Sequence, residues 1–370
     1  MSHVFVAMSG GVDSSVAALL LQQAGHKISG VNLRMFHNED LGQSPGKTCC
    51  SLADAEDAGL VARRLGAPFY VFDVSQVFRS TVIRDFIEEY QNGRTPNPCA
   101  VCNRTVKFGA LLDRVRVLGA DYLATGHYAR VEQDAATGRY LLKRGLDRSK
   151  DQSYFLYMLT QEQLAHTLFP LGGLEKTQVR QLAEAHGLVN AHKHDSQDIC
   201  FVPDGDYAAF IERTVGSPSL PGNFVDQKGQ VLGHHRGIIR YTHGQHKGLG
   251  LSTSEPLYVL EKDAVSNTIR LGPDSDLWSQ TLTAEQFNWV SIPEPTEPIA
   301  VTVKTRYSQR EAAAIARSLP GGRCQVTFEE PQRAITPGQA VVLYQERIGV
   351  VLGGIDFYPK KKVRLLSDVT

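Results

Sequence analysis

The chain has 370 residues, 42% hydrophobic and 21% charged: ordinary globular composition, and more chain than one compact core usually holds. Its 39 basic and 39 acidic side chains cancel, which argues against indiscriminate coating of nucleic acid and leaves room for a local basic face. The first eight residues have no charged n-region, apolar runs such as 16–21 are too short to span a bilayer, and six cysteines are too few for a disulfide framework, so a soluble cytoplasmic protein is expected.

In chain order, residues 3–8 read as a strand, 13–24 as a helix, 27–33 as a strand, 52–65 as a helix and 68–72 as a strand. Val77, Phe78, Val82, Phe86, Ile87 and Tyr90 recur at helical spacing, as do apolar residues over 106–118. Residues 121–125 read as a strand running into Gly126-His127-Tyr128. Strands separated by helices of this length predict an α/β fold: a doubly wound parallel sheet covered on both faces, with ligands at the carboxyl ends of its strands. A helical region over 161–186 and a polar loop over 190–206 follow. Residues 215–277 are rich in Gly and His, with short strand candidates at 258–260 and 268–271. From Trp278 the chain is strongly β, at 299–305, 325–329 and 340–344, with turns such as Thr336-Pro337-Gly338, which predicts a small antiparallel barrel. Three units are expected: the α/β domain over 1–210, a small central domain over 211–277, and a β-barrel domain over 278–370.

Between the first strand and the first helix lies Ser9-Gly10-Gly11-Val12-Asp13-Ser14-Ser15. Two glycines let the backbone turn tightly and aim amides at an anion, and the helix adds its positive end. Ser14 and Ser15 supply hydroxyls, and Asp13 could hold Mg²⁺ bridging phosphates. The competing reading is a plain Gly-rich turn with Asp13 as helix N-cap. The loop lacks the Gly-Lys-Ser/Thr ending of kinases and GTPases. It resembles the phosphate loop of the ATP pyrophosphatases, the PP-loop family, which adenylate an oxygen and release pyrophosphate. An oxygen made into an adenylate leaves as AMP, so the next requirement is a nucleophile.

Two motifs offer thiols. Gly93-Arg94-Thr95-Pro96-Asn97-Pro98-Cys99-Ala100-Val101-Cys102-Asn103 is stiffened by prolines, and with a helix expected just after Asn103, Cys102 would sit near a helix N-terminus that favours thiolate. Asp195-Ser196-Gln197-Asp198-Ile199-Cys200-Phe201 places Cys200 in a polar loop. A Cys-x-x-Cys pair can also be redox-active, half of a zinc site completed by Cys200 or by His192 and His194, or part of an iron–sulfur cluster. Cys324, in a β pattern, reads as a buried small hydrophobe, and Cys49 and Cys50 as structural. His243 and His246 have zinc-like spacing, but their Gly-rich flanks with Lys247 fit an RNA-binding loop better.

The phosphate loop and both cysteine motifs together resemble the tRNA-specific 2-thiouridylase family. The resemblance runs over nearly the whole chain and includes Ala124-Thr125-Gly126-His127-Tyr128, Lys150-Asp151-Gln152-Ser153-Tyr154-Phe155, Gly244-Gln245-His246-Lys247-Gly248-Leu249-Gly250, Val303-Lys304-Thr305-Arg306-Tyr307 and Thr336-Pro337-Gly338-Gln339. It implies ATP-dependent 2-thiolation of the wobble uridine of tRNA. Ala7, Met8, Ser9, Gly10, Gly11, Val12, Asp13, Ser14, Leu33 and Gly126 would line the ATP site, with Mg²⁺. Cys102 would be the catalytic nucleophile, and Cys200 would carry sulfur as a persulfide from a sulfur-donor protein. A persulfide on Cys200 can attack the adenylated C2, and the second thiol can resolve the S–S bond, leaving a Cys102–Cys200 disulfide that a reductant reopens.

By the same resemblance Asn97, Pro98, Cys99, His127, Lys150, Asp151, Gln152, Arg306, Tyr307 and Gln339 would contact tRNA; no membrane or oligomer is required. Many members carry Asp where this chain has Cys99, so that Asp's role as general base does not transfer. Cys99, Cys102 and Cys200 could instead hold a [4Fe–4S] cluster that delivers sulfide. Lys304, Arg306 and Arg310 alternate along one strand and can present a basic face to phosphates, while Tyr307 joins them only at a bulge or a strand end. Two rivals remain: a PP-loop synthetase acting on a small metabolite, which needs neither thiol, and a non-enzymatic RNA-binding protein.

Overall fold

The computed structural model describes residues 1–36, 52–193, 199–345 and 349–356; Cys49, Cys50 and residues 194–198, with His194 and the start of the second cysteine motif, lie outside them. Among the described residues seven strands lie in the first half of the chain: β1 (His3–Ala7), β2 (Lys27–Arg34), β3 (Phe69–Asp73), β4 (Tyr122–Thr125), β5 (Ala129–Gln133), β6 (Tyr140–Arg144) and β7 (Thr167–Leu168). Five of them make a parallel sheet in the order β3-β2-β1-β4-β7. The chain leaves β1 in one direction to build β2 and β3, then returns to its other side for β4. The carboxyl ends of β1 and β4 therefore meet at the point where strand order reverses, the place such sheets bind ligands.

Both faces are covered, as the apolar runs require. Val4, Val6 and Met8 face α1 (Val12–Gln23), α2 (Leu52–Arg64) and the helix Lys176–Ala185, through Val16, Ala17, Ala58, Val61, Val179 and Ala183. Phe5, Val31, Leu33 and Phe72 face two helical rods, at 75–91 and 98–117, through Phe78, Phe86, Val106, Phe108 and Leu111. Each rod widens to π geometry, at Arg79–Ile83 and at Asn103–Leu111.

Three sequence expectations need correction. The second rod begins at Pro98, not after Asn103: Pro suits the first helical position, and Asn97 Oδ1 accepts the Ala100 amide at 3.3 Å as N-cap. Cys102 thus lies in the second turn of the rod. The helical region 161–186 splits into Gln161–Ala165 and Lys176–Ala185, because Thr167–Leu168 pairs with β4 and the chain then passes β5 so closely that a Cβ on Gly172 would lie 1.9 Å from Ala129 O. The basic strand stops at Lys304, so Arg306 and Arg310 are not on it.

A four-stranded sheet follows, ordered β10 (Tyr258–Asp263), β11 (Thr268–Gly272), β8 (Gly222–Val225), β9 (Val231–His235). The remaining strands are β12 (Trp278–Ala284), β13 (Ile299–Lys304), β14 (Ala312–Leu319), β15 (Arg323–Arg333), β16 (Ala340–Gln345) and β17 (Val350–Asp356). They form an antiparallel sheet, β12-β15-β14-β13-β16-β17-β6-β5, to which the first half lends its β5–β6 hairpin. Buried Arg144, at the end of β6, locks this junction: it pairs with Glu311 and stacks 4.1 Å over the Tyr344 ring. Among the described residues no helix is long and apolar enough to cross a membrane.

Candidate active site

The phosphate loop sits on the carboxyl end of β1. Ser9 is exposed and Gly11 half-buried, while Met8 and Val12 pack into the core, so the rim faces outward and the rest anchors it. Gly10 needs to be glycine: its φ is 80°, and a Cβ there would lie 2.3 Å from Asp54 O. Gly11 is the N-cap of α1 and offers no side-chain hydrogen bond, so the first-turn amides of a 12-residue helix meet no side-chain cap. Gly126, at the end of β4, closes the other side; a Cβ on it would lie 2.8 Å from Asp13 C and Ser14 N. Gly126 thus packs directly against the first turn of α1, with no room for a side chain. Leu33 is buried against the rods.

The serines brace the loop. Ser14 Oγ and Ser15 Oγ each donate to Gly11 O at 3.1 Å, and Ser14 Oγ accepts the Ser9 amide at 3.2 Å. Asn190, buried, donates to Gly10 O at 3.0 Å and to Ser15 Oγ at 2.8 Å. Asp13 is in the first turn of α1 and is not its cap. Its carboxylate takes Lys176 Nζ at 2.7 and 2.8 Å and the Tyr128 hydroxyl at 2.8 Å. Asp13, the carboxylate expected to hold Mg²⁺, is thus paired with the Lys176 ammonium. Sequence reasoning missed Lys176 and Asn190. Neither lies in a motif, and each meets the loop from far along the chain.

Cys102 is buried on the rod 98–117, and Cys200, half-buried, packs against the same core cluster. Phe201, beside Cys200, meets Phe78 and Phe86 of the neighbouring rod edge-on, with ring centroids 5.7 and 5.1 Å apart. Cys99 is exposed one turn before Cys102. Among the described residues no three His, Cys, Asp or Glu side chains converge to hold a metal. Cys99, Cys102 and Cys200 as placed do not fit a cluster, and His243 and His246 do not fit zinc. Cys324 is fully buried in the barrel, and burial pushes its thiol up to about 12, which keeps it protonated and inert.

Two groups of the expected RNA-contacting residues meet. Tyr307 is exposed just past the end of β13, its ring 4.5 Å from that of Phe155 and 5.5 Å below Lys304 Nζ, beside the 150–152 segment. Asp151 there accepts from the amides of Gly145 and Ser153 at 3.0 and 3.1 Å, and Gln152 Oε1 accepts the Tyr128 amide at 3.1 Å, so both also shape their loop. Arg306 turns inward to Ala334 O at 3.0 Å, and Gln339 turns to the segment before Asn97 and Pro98. His127 packs between Phe108 and Phe169, both centroids 5.9 Å away, and shares a 2.7 Å hydrogen bond with Thr125.

Burial first, then Lys107, holds the His127 pKa well below its usual 6.5, and burial with Arg306 takes His243 down to about 4. Both histidines are neutral in the fold and bind fewer protons than in the unfolded chain. Stability is therefore full above about pH 6.5 and falls as pH drops toward 4. For His243 the loss is at most about 3 kcal/mol, less what solvent screens. Melting temperature should decline over that window, and His243→Gln should flatten the decline; an unchanged slope would contradict it.

This loop-and-thiol arrangement has close relatives. Family models match along the chain: a tRNA methyl transferase HUP domain over residues 2–204, a tRNA methyl transferase PRC-barrel domain over 208–273, and an aminomethyltransferase beta-barrel domain over 279–355. A tRNA-specific 2-thiouridylase MnmA 1 of Caldanaerobacter subterraneus is 50% identical, covering 98% of this chain and 99% of its own. The likeness continues in Geotalea uraniireducens, whose tRNA-specific 2-thiouridylase MnmA is 51% identical over 95% of this chain and 94% of its own, and in Clostridioides difficile, at 47% over 95% and 97%. With half of all positions identical over nearly the full length of both partners, the chain belongs to the tRNA-specific 2-thiouridylase family.

Proposed function

We propose that this enzyme converts the wobble uridine of tRNA to 2-thiouridine in two steps. In the first, the C2 oxygen attacks the α-phosphate of ATP held by Ala7–Ser14, Leu33 and Gly126, and pyrophosphate leaves. Mg²⁺, when bound at Asp13, would neutralise phosphate charge there. In the second, a Cys200 persulfide, loaded by a sulfur-donor protein, attacks C2 through its terminal sulfur and AMP departs. The Cys102 thiolate then attacks the Cys200 sulfur, releasing the thiolated base and leaving a Cys102–Cys200 disulfide that an external thiol reduces. Asn97, Pro98, Cys99, His127, Lys150, Asp151, Gln152 and Tyr307 are the proposed tRNA-facing set. A base inside a stack is unreachable, so the uridine must be extruded.

The observation that carries this reading is the pairing of a phosphate loop at the β1/β4 switch point with two cysteines in the core cluster covering the same sheet. It disfavours a small-metabolite synthetase, which has no use for the thiols. The test is an assay with ATP, tRNA and a persulfide donor, reading pyrophosphate release and 2-thiouridine in digested tRNA. Release that tRNA does not stimulate, or tRNA without new 2-thiouridine, would reject it.

A further inference from the structure

The barrel reaches the Cys102 rod through one turn. Gly338, with φ 88°, comes so close that a Cβ would lie 2.8 Å from both Thr95 N and Thr95 O. Pro337 O accepts the Thr95 amide at 2.8 Å, and Gln339 Nε2 donates to Thr95 O at 2.9 Å and Pro96 O at 3.2 Å. Those two carbonyls come immediately before Asn97, the N-cap of the rod. Pro96 and Pro98 have no amide hydrogen, so this stretch has few donors of its own to fix it. An amide NH₂ has two hydrogens; with both partners carbonyls, the nitrogen must face them, and only Oε1 is left for a ligand.

Both flanks of the contact are tied down as well. Behind the turn, Arg306 donates to Ala334 O at 3.0 Å and to Thr336 Oγ1, and reaches His243 O of the central unit at 3.5 Å. Ahead of the loop, Arg94 pairs with buried Glu89 of the rod 75–91.

We propose that Gln339, backed by Thr336 and Arg306, is a positioning residue: it clamps residues 95–97 and so sets the Cys102 rod for sulfur transfer, and only its Oε1 remains open to tRNA. The proposal deepens the sulfur-transfer reading and rests on it for its consequence in turnover. The barrel, which carries Lys304 and Tyr307, is thereby joined mechanically to the thiol.

Gln339→Met keeps length and volume and removes both donors. The tRNA-free variant and parent are treated with iodoacetamide and alkylation of Cys102 is followed by peptide mass spectrometry, alongside tRNA affinity and single-turnover thiolation at saturating ATP. The expected result is Cys102 alkylation faster by at least about three- to tenfold, the shift from losing one net hydrogen bond, since two are removed. Thiolation should slow by a similar factor, with tRNA affinity held within about twofold. Weaker tRNA binding with unchanged alkylation would make Gln339 an RNA contact and overturn the proposal; so would no change in either. Thr336→Val, at a buried position with no RNA-facing surface, should shift alkylation in the same direction and serves if Gln339→Met does not fold. Alkylation is read without turnover. A parent enzyme that fails to thiolate therefore counts against the proposed function, and unmoved alkylation counts against the clamp.

Discussion

A Cys102→Ser enzyme is expected to release pyrophosphate in response to tRNA within a few-fold of the parent rate while its thiolation falls by at least about 10³. The two activities separate because different structures carry them. On the proposed mechanism adenylation would draw on the loop at the end of β1, whose neighbours are Asn190, Lys176, Tyr128 and Asp54, none of them on the rod. On the same mechanism sulfur transfer would need a thiolate at position 102, and a serine hydroxyl neither ionises near neutral pH nor attacks a sulfur. The substitution is nearly isosteric at a buried site, so the fold should survive, at a cost of about 1–2 kcal/mol for placing a hydroxyl among apolar groups. In this variant sulfur should accumulate on Cys200, visible by mass spectrometry as one retained sulfur atom. Cys200→Ser should lose that loading as well as thiolation, and Cys324→Val should lose neither. Parent-like thiolation by Cys102→Ser, or a parallel collapse of pyrophosphate release, would contradict the division of labour.

The parallel sheet and its phosphate loop are legible because β1, β2 and β3 are apolar runs bounded by helical spacing, and because Gly10 marks the left-handed turn that leads into α1. The start of the second rod was misplaced although its signal was present. Pro96 and Pro98 resemble loop stiffeners in the sequence, whereas Asn97 as N-cap and Pro98 at the first helical position form a start signal. The β5–β6 hairpin was not read as strands, and local pattern cannot say that it pairs with β17 across more than 200 residues of chain. Lys176 illustrates the same limit at the site. Its position in sequence is that of any exposed lysine at a helix start, and its partner Asp13 is 163 residues away. Arg306 and Gln339 sit in family-like motifs, but only the fold shows their donors turned to backbone carbonyls.

Two neighbouring glycines should respond in opposite ways to alanine. Gly10→Ala places a side chain at φ 80°, a left-handed conformation costing about 1–2 kcal/mol for a non-glycine residue, and drives its Cβ to 2.3 Å from Asp54 O. The obstacle is backbone, so no side chain can swing aside. It cannot retreat easily either, because Lys193 Nζ holds Asp54 and Asp57 of α2 at 2.6 and 2.8 Å. The loop must move instead, breaking the Asn190 bond to Gly10 O and tilting the first turn of α1 against Gly126. The expected result is a clear drop in melting temperature and loss of pyrophosphate release by about 10² or more, the penalty typical of a misplaced binding group. Gly11→Ala meets only Ser9 Oγ at 3.5 Å, an ordinary contact, and its extended backbone suits any residue. Its stability should stay within about 1 kcal/mol of the parent, since a poorer N-cap is offset by a stiffer unfolded chain. Equal melting temperatures for the two variants would mean that the phosphate loop is not braced against α2.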